Sequence, residues 1–122
     1  MSTAQASDVA SRFLEALARH DFDGVGGSFT QDGRLRGLVP TALRELEGRS
    51  AIAERFEMWT GDGEIVESGY EDVADVVKLR WRVVETGEDG SPVVFEQTAY
   101  AQIDGDGIAW MNLVCSGQRP TG

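Results

Sequence analysis

Apolar residues recur at helical spacing near the start of the chain. Val9, Phe13 and Leu17 stand four residues apart, with Ala10 and Leu14 beside them and charged residues at other positions. An apolar stripe with a period close to that of the α-helix predicts an amphipathic helix with one face in a core. The stripe stops at a polar corner, residues 20–23, where the predicted helix ends.

Two shorter helices are predicted further along. The first runs from a cap at Asp21 to about Phe29. Glycines inside it each cost about 1 kcal/mol against alanine, so either this helix is short or another element packs closely on its backbone. The second runs from a cap at Ser50 to Trp59. Its apolar face consists of Ile52, Phe56 and Trp59.

The second half of the chain alternates between apolar and polar residues, which is the period of a half-buried β-strand. Strands are predicted over residues 76–85, 93–103 and 108–115, with less regular ones over 33–38, at a sheet edge, and 64–70. Residues 41–47 stay open between a helical turn and a strand. Helices first and antiparallel strands last are typical of an α+β domain. We expect a cone-shaped curved sheet, mixed or antiparallel, wrapped around N-terminal helices.

Composition and charge narrow the classes of function. The 122 residues are expected to form one domain, residues 1–122, with a loose tail over 117–122. A formal net charge of −10 argues against nucleic acids and anionic membrane surfaces as partners, because both bind basic surfaces. The single cysteine, Cys115, excludes an internal disulfide, and no segment is typical of a membrane span or a secretion signal. We expect a cytoplasmic protein with no metal and no cofactor.

Several short motifs resemble, in their order and spacing, the nuclear transport factor 2-like superfamily, and within it the SnoaL-like and ketosteroid isomerase-like small proteins. Residues 12–17, 21–25 and Phe29 resemble the opening helices of these proteins. Glu-Gly-Arg-Ser-Ala-Ile at 47–52 resembles their G-R-x-A-I helix start, and residues 79–83 with the hairpin through 104–105 resemble their closing strands. The resemblance covers nearly the whole chain. It implies a conical sheet with a deep apolar pocket and, often, a dimer through the outer face of the sheet.

The residues that carry chemistry in the enzymes of this superfamily are missing where the resemblance implies them. Phe13 stands at the position of an oxyanion-donating tyrosine, and Gly37 on or near that of a general-base aspartate. Ala99 stands where a second oxyanion-hole carboxyl, or the acid of SnoaL-type cyclases, is found. Epoxide hydrolase-like members have Arg-x-Asp where this chain has Arg-Trp-Arg at 80–82. The catalytic residues are therefore unknown from the sequence.

Large aromatic residues and small residues share the inward faces. This pattern predicts an apolar ligand pocket or, alternatively, a solid core in which the two kinds interdigitate. Gln97 is the polar residue of the set, and an unpartnered buried amide costs about 1–3 kcal/mol. It either orients a ligand carbonyl or hydroxyl, or bonds to neighbouring backbone or water. The predicted lining consists of Phe13, Leu17, Phe29, Phe56, Trp59, Trp81, Phe95, Gln97, Ala99, Ala101 and Met111.

Three side chains are weak candidates for catalysis: Gln97, Glu67 and Arg36. An amide can only donate or accept hydrogen bonds. Glu67 would have a raised pKa if it pointed inward and could then act as an acid or base, but the poor alternation of its strand favours a solvated side chain. Arg36 and Arg34 could steer a ligand at the pocket mouth or be ordinary surface residues. His20 is the only histidine, and its place at a helix C-terminus needs no functional explanation.

The outward face of the predicted sheet contains Tyr100, Trp110 and Val114, which are costly to leave in water. They predict a homodimer through this face, and the alternative is a solvated sheet face. On the same face Arg82 is expected opposite Glu96. The sequence thus predicts a protein that binds a small apolar molecule, polyketide- or terpenoid-like. It leaves open an isomerase, cyclase or hydratase, a non-catalytic binding or accessory protein, and a filled core without a pocket. A carboxylate inside the cavity would favour the enzyme.

Overall fold

Three helices and seven strands make up the computed structural model, which describes residues 3–40 and 42–120. The helices are α1 (Thr3–Ala18), α2 (Phe22–Gly27) and α3 (Arg49–Thr60). The strands are β1 (Phe29–Val39), β2 (Ala42–Glu47), β3 (Glu64–Val73), β4 (Val76–Thr86), β5 (Pro92–Asp104), β6 (Gly107–Cys115) and β7 (Arg119–Pro120).

The strands form a curled, unclosed mixed sheet in the order β2-β1-β6-β5-β4-β3, with β7 paired to β5 beside this path. Strands β1 and β6 run parallel, and the other neighbours are antiparallel. The predicted α+β class, with a curved sheet and N-terminal helices, is confirmed.

Alternation along the central strands separates a buried face from an outer face. From Val77 to Val83 every second residue of β4 is buried, and from Phe95 to Ile103 the same holds for β5. Helix α1 contributes the stripe around Phe13 to this core. Burial of one large apolar side chain stabilises the fold by about 1.5–3 kcal/mol, so these matched faces are the main source of stability.

The segment predicted as an edge strand lies inside the sheet, so that prediction was wrong. Strand β1 is longer than predicted and is flanked by β6 and β2. The reason is that residues 42–47, left open in the sequence, form a strand that covers β1, with Ala42 opposite Val39 and Glu47 opposite Arg34. Thr41, the first residue of the open segment, lies outside the described residues. The edges are β2 and β3.

Glycines determine how the helices begin and pack. A Cβ on Gly26 would stand 2.6 Å from the carbonyl oxygen of Arg49, so α2 packs its backbone directly on the start of α3. Helix α2 is accordingly short and ends before the predicted Phe29, which begins β1. The predicted cap at Ser50 was wrong, because the N-cap of α3 is Gly48 and the helix begins at Arg49, two residues earlier than a cap at Ser50 implies. The φ of +94° at Gly48 is a conformation that glycine adopts without strain.

The end of the described chain is attached to the sheet. A loose tail was predicted from Gly117 onward, and the structure pairs residues 119–120 with the start of β5 as β7. The turn before it is fixed by the backbone N–H of Ser116, which donates to the carbonyl oxygen of Glu96 over 2.8 Å. Composition does not reveal such long-range backbone pairing. Residues 121 and 122 of the predicted tail lie outside the described residues.

Candidate functional site

Most of the residues predicted to line a pocket pack against one another inside the sheet. The ring centroid of Phe13 lies 5.5 Å from that of Phe56 and 5.5 Å from that of Trp81, and Phe29 makes an edge-on contact with Phe13 at 6.2 Å. Rings thus fill space beside the small residues, as in an interdigitated core. The predicted lining residues that belong to this core are Phe13, Leu17, Phe29, Phe56, Trp81, Phe95, Ala99, Ala101 and Met111.

Trp59, Phe95 and Gln97 line a cleft of about 350 Å³, which we call the Gln97 cleft. It lies where α3, the end of β1, strand β5 and the segment after β6 meet. Its volume falls near the lower end of the range for small-molecule sites. The other residues that line the Gln97 cleft are Val39, Pro40, Cys115, Gly117 and Gln118.

Gln97 is the polar side chain at the buried side of this cleft, and it is 1 % exposed. Its Oε1 accepts a hydrogen bond of 2.8 Å from Nε1 of Trp81. Because an indole N–H can only donate, the amide oxygen must face Trp81, and this fixes the orientation of the amide. Its Nε2, the other terminal atom of the amide, has no hydrogen-bond partner among residues 3–40 and 42–120. Gln97 thus borders the apolar walls of the cleft and has an oriented, buried N–H donor pair that no described residue uses.

One wall of the Gln97 cleft was missed from the sequence. Gly117, with a φ of +80°, passes close to Pro40: a Cβ there would stand 2.9 Å from the proline Cγ. Beside it the amide of Gln118 donates to the carboxylate of Glu85. These residues are far apart in the chain and belong to turns and ends of strands, so no periodic pattern marks them.

The structure places Cys115, half-buried, in the wall of the cleft. It lies directly opposite Gln97 in the ladder between β5 and β6. Opposite residues of neighbouring strands project from the same face of a sheet. The sequence contained a signal for this position: Cys115 is the last inward residue of its strand, and antiparallel pairing could have placed it opposite the inward Gln97.

The indole of Trp59 occupies the space above Gly37. A Cβ on this glycine would stand 2.8 Å from Cη2 of Trp59 and 2.9 Å from Cδ2 of Leu113. Trp59 is held in place by an edge-on contact with Phe56, with centroids 5.5 Å apart. The resemblance implied a general base on or near Gly37, and in this chain an aromatic wall of the cleft takes up that space.

The candidates Glu67 and Arg36 lie on the outer face of the sheet, apart from the residues that line the Gln97 cleft. Glu67 bonds to Arg80 at 2.7 Å and to Arg82 at 3.3 Å. The hydrogen bond from Arg80, followed by the charges of Arg82 and Arg80, lowers the pKa of Glu67 below its ordinary value. Glu67 is therefore a solvated, ion-paired carboxylate, as the poor alternation of its strand had favoured.

Arg82 continues this ion-pair network to the next strand. It lies opposite Glu96 as predicted, with Nη2 2.8 Å from the carboxylate, and this hydrogen bond raises the pKa of Arg82. Arg36 pairs with Glu45 at 3.6 Å, and Arg34 stands beside them in a separate outer groove. These pairs are half-exposed, so each contributes little to stability.

Acidic residues are absent from the residues that line the Gln97 cleft, within the described part of the chain. The carboxylate connected to its rim is that of Glu85, through the hydrogen bond from Gln118. Glu85 follows Val83 on the alternating inner side of β4 and is half-buried. The arrangement can thus donate hydrogen bonds from Gln97 at its buried side and offers one carboxylate at its rim.

The other chemical candidates have structural roles. Nε2 of His20 lies 2.6 Å from the carbonyl oxygen of Gly63, so it donates and connects the end of α1 to the turn before β3. Across residues 3–40 and 42–120, no three His, Cys, Asp or Glu side chains come together as a metal site requires. In the same ranges no helix is both long and apolar enough to span a bilayer.

A profile of the SnoaL-like domain matches residues 10–111 of the chain. A search of curated proteins gave no significant match. The match to the domain therefore rests on a family profile that covers most of the chain, and it agrees with the helix and strand order described above.

Solved structures show the same fold at low sequence identity. A protein with a ketosteroid isomerase-like fold from Catenulispora acidiphila, in complex with trimethylamine, has 12% identity and a TM-score of 0.69, covering 86% of this chain and 82% of its own. A proposed polyketide cyclase from Xanthomonas campestris has 15% identity and a TM-score of 0.70, covering 91% and 90%. SalBIII, an epoxide hydrolase/cyclase-like enzyme with a role in pyran ring formation in the polyether salinomycin, has 18% identity and a TM-score of 0.73, covering 93% and 92%.

Proposed function

Because the chain belongs to the SnoaL-like domain family, we propose that it binds a small, largely apolar molecule in the Gln97 cleft, through a hydrogen-bond acceptor on that molecule. The observation that supports this proposal is the buried, oriented amide of Gln97, whose Nε2 has no partner in the described part of the chain. A buried donor without a partner costs about 1–3 kcal/mol, and an acceptor on a ligand would remove this cost.

The walls of the cleft define the class of ligand. Trp59, Phe95, Val39 and Pro40 present aromatic and aliphatic surface, which favours a flat hydrocarbon framework. The donor requires a carbonyl, ether or hydroxyl oxygen at the buried end. The lining residues that the structure describes include no cationic side chain, which favours a neutral ligand over an acid. A polyketide- or terpenoid-like ketone or lactone fits these requirements.

A thermal-shift screen of neutral ketones, lactones and epoxides tests the proposal. A ligand at a hundred times its Kd stabilises the protein by about 2.7 kcal/mol, which corresponds to several degrees in a domain of this size. Ketones should raise the Tm, and the hydrocarbons of the same framework should raise it less. Equal shifts for a ketone and its hydrocarbon, or no shift across the panel, would refute Gln97 as the polar anchor.

A second candidate function is an isomerase-, cyclase- or hydratase-type enzyme, and the observation that favours it is Glu85. Gln118 connects this carboxylate to the rim of the cleft. In that arrangement Gln97 would polarise a substrate carbonyl while Glu85 moves a proton at the rim. The test is turnover of any ligand that the screen identifies: loss of turnover with retained binding in Glu85→Gln supports the enzyme. Absence of turnover in the unaltered protein favours the binding protein.

We also propose a homodimer through the outer face of the sheet. Val114 and Tyr100 are 55% and 41% exposed there, and Trp110 lies on the same face. The register extends this apolar surface across the sheet, with Leu38 beside Val114 and Leu43 beside Leu38. The neighbouring row contains charges of both signs, so a two-fold axis can bring opposite charges together. Sedimentation velocity measures the oligomeric state directly.

A further inference from the structure

Cys115 and Gln97 form a pair that can do more than hold a ligand. They are direct partners in the ladder between β5 and β6, both project inward, and both line the Gln97 cleft. A free thiol alone would indicate nothing. Here it lies opposite a buried amide whose Nε2 has no partner among the residues that the structure describes, and this independently indicates a ligand at the same place.

We propose that Cys115 captures α,β-unsaturated carbonyl compounds covalently, with the carbonyl oxygen bound by Nε2 of Gln97. This inference rests on the proposed function, because the same cleft and the same anchor are used. It adds a chemical class, conjugated enones, and a reacting atom, Sγ of Cys115.

The reaction is a conjugate addition and needs no further reactant. The thiolate is the attacking species, so the thiol first gives its proton to water. A C–S bond forms at the β-carbon of the enone, and the π electrons of the C=C bond move to the carbonyl oxygen. The resulting enolate oxygen is stabilised by the N–H of Gln97. The α-carbon then takes one proton from water, so the adduct is the sum of protein and enone.

The geometry explains why this thiol should react faster than an ordinary one. A bound enone with its oxygen at Gln97 keeps the reacting atoms in the same cleft, which replaces a random encounter by a positioned one. The half-buried position alone would slow a cysteine, because it limits access. Faster labelling of Cys115 in the folded protein would therefore show that the enone is bound in the cleft, because exposure of the thiol cannot explain it.

The experiment is labelling with benzylideneacetone, followed by intact mass spectrometry. Cys115 is the only cysteine of the chain, so each addition of one probe mass reports on it, and Cys115→Ser checks the assignment. The matched reference is the same protein unfolded in urea, with N-acetylcysteine correcting for the effect of urea on the reaction. We expect the folded protein to react about tenfold faster or more. The rate should saturate with probe concentration, and Gln97→Leu should reduce it to near the unfolded rate.

Competition gives a second measurement that does not depend on any variant. Benzylacetone, the saturated counterpart, should slow labelling of the unaltered protein and raise its Tm. A folded rate equal to or below the unfolded rate would overturn the proposal for Cys115. If benzylacetone still raises the Tm in that case, the cleft and the proposed function stand. A folded rate that is not raised, together with no shift from benzylacetone or from any compound of the thermal-shift panel, would overturn both.

Discussion

Replacement of Gln97 by leucine separates a structural role for the amide from a binding role. In the free protein the change removes the acceptor for the N–H of Trp81, and an orphaned donor costs about 1–3 kcal/mol. It also removes the buried Nε2 that has no partner, which relieves a cost of the same size. Because the two effects nearly cancel, we expect the free energy of unfolding to change by less than about 1.5 kcal/mol.

Urea unfolding followed by tryptophan fluorescence, at a fixed protein concentration, measures this difference. Gln102→Leu on the outer face of the same strand is the matched control and should lie within about 0.5 kcal/mol of the unaltered protein. A loss of more than about 3 kcal/mol in Gln97→Leu would refute the argument, since such losses occur when a fully satisfied buried polar group is removed. The amide would then be a structural residue.

A double-mutant cycle with Trp81→Phe refines the result. In the unaltered background this change orphans the buried oxygen of Gln97, whereas in Gln97→Leu it removes an N–H that has already lost its acceptor. We expect a coupling energy of about 1–2 kcal/mol between the two sites. Additive effects would show that the hydrogen bond contributes nothing.

Three further changes test other parts of the structure. Gly37→Ala should destabilise by about 1–3 kcal/mol in urea unfolding, because its Cβ overlaps the indole and leucine contacts described above, whereas Gly69→Ala has room and should be nearly neutral. Val114→Lys should convert a dimer to a monomer in sedimentation velocity, whereas Met58→Lys on the exposed side of α3 should leave the dimer intact. If the unaltered protein is itself a monomer, the proposed dimer is contradicted. Glu67→Gln should cost a small, salt-sensitive amount of stability at pH 7, because a carboxylate with a lowered pKa stabilises the folded state above the pH range in which it titrates. The difference in stability between the unaltered protein and Glu67→Gln should disappear in thermal melts at successively lower pH, as the pH falls through the lowered pKa of Glu67 in the folded state. A difference that persists at low pH would show that the effect is not electrostatic.

The fold could be predicted from the sequence because its strongest signals are local. The apolar stripe of α1 and the alternation of β4 and β5 each lie within one segment, and each identifies both the type of element and the face that it buries. The errors arose where distant residues decide the outcome. Strand β1 is an interior strand only because β2 pairs with it. Helix α3 has its N-cap at Gly48 because the positive φ of that residue favours glycine.

The candidate site was predictable only in part, for the same reason. Alternation alone predicted that Gln97 lies on the inward face of β5, and it follows that its buried amide needs a hydrogen-bond partner. Whether aromatic rings leave a cavity or fill it depends on packing, and here the rings around Phe13 pack tightly in the core. One wall of the cleft is formed where Gly117 lies close to Pro40, and no periodicity along the chain encodes this approach.

The most direct test of the central claim compares a ketone with its hydrocarbon counterpart, in the unaltered protein and in Gln97→Leu, by isothermal titration calorimetry. Loss of a hydrogen bond of about 1–1.5 kcal/mol corresponds to roughly a tenfold change in Kd. We expect the unaltered protein to prefer the ketone by about this factor and Gln97→Leu to bind both compounds equally. A preference for the ketone that survives in Gln97→Leu would contradict the account.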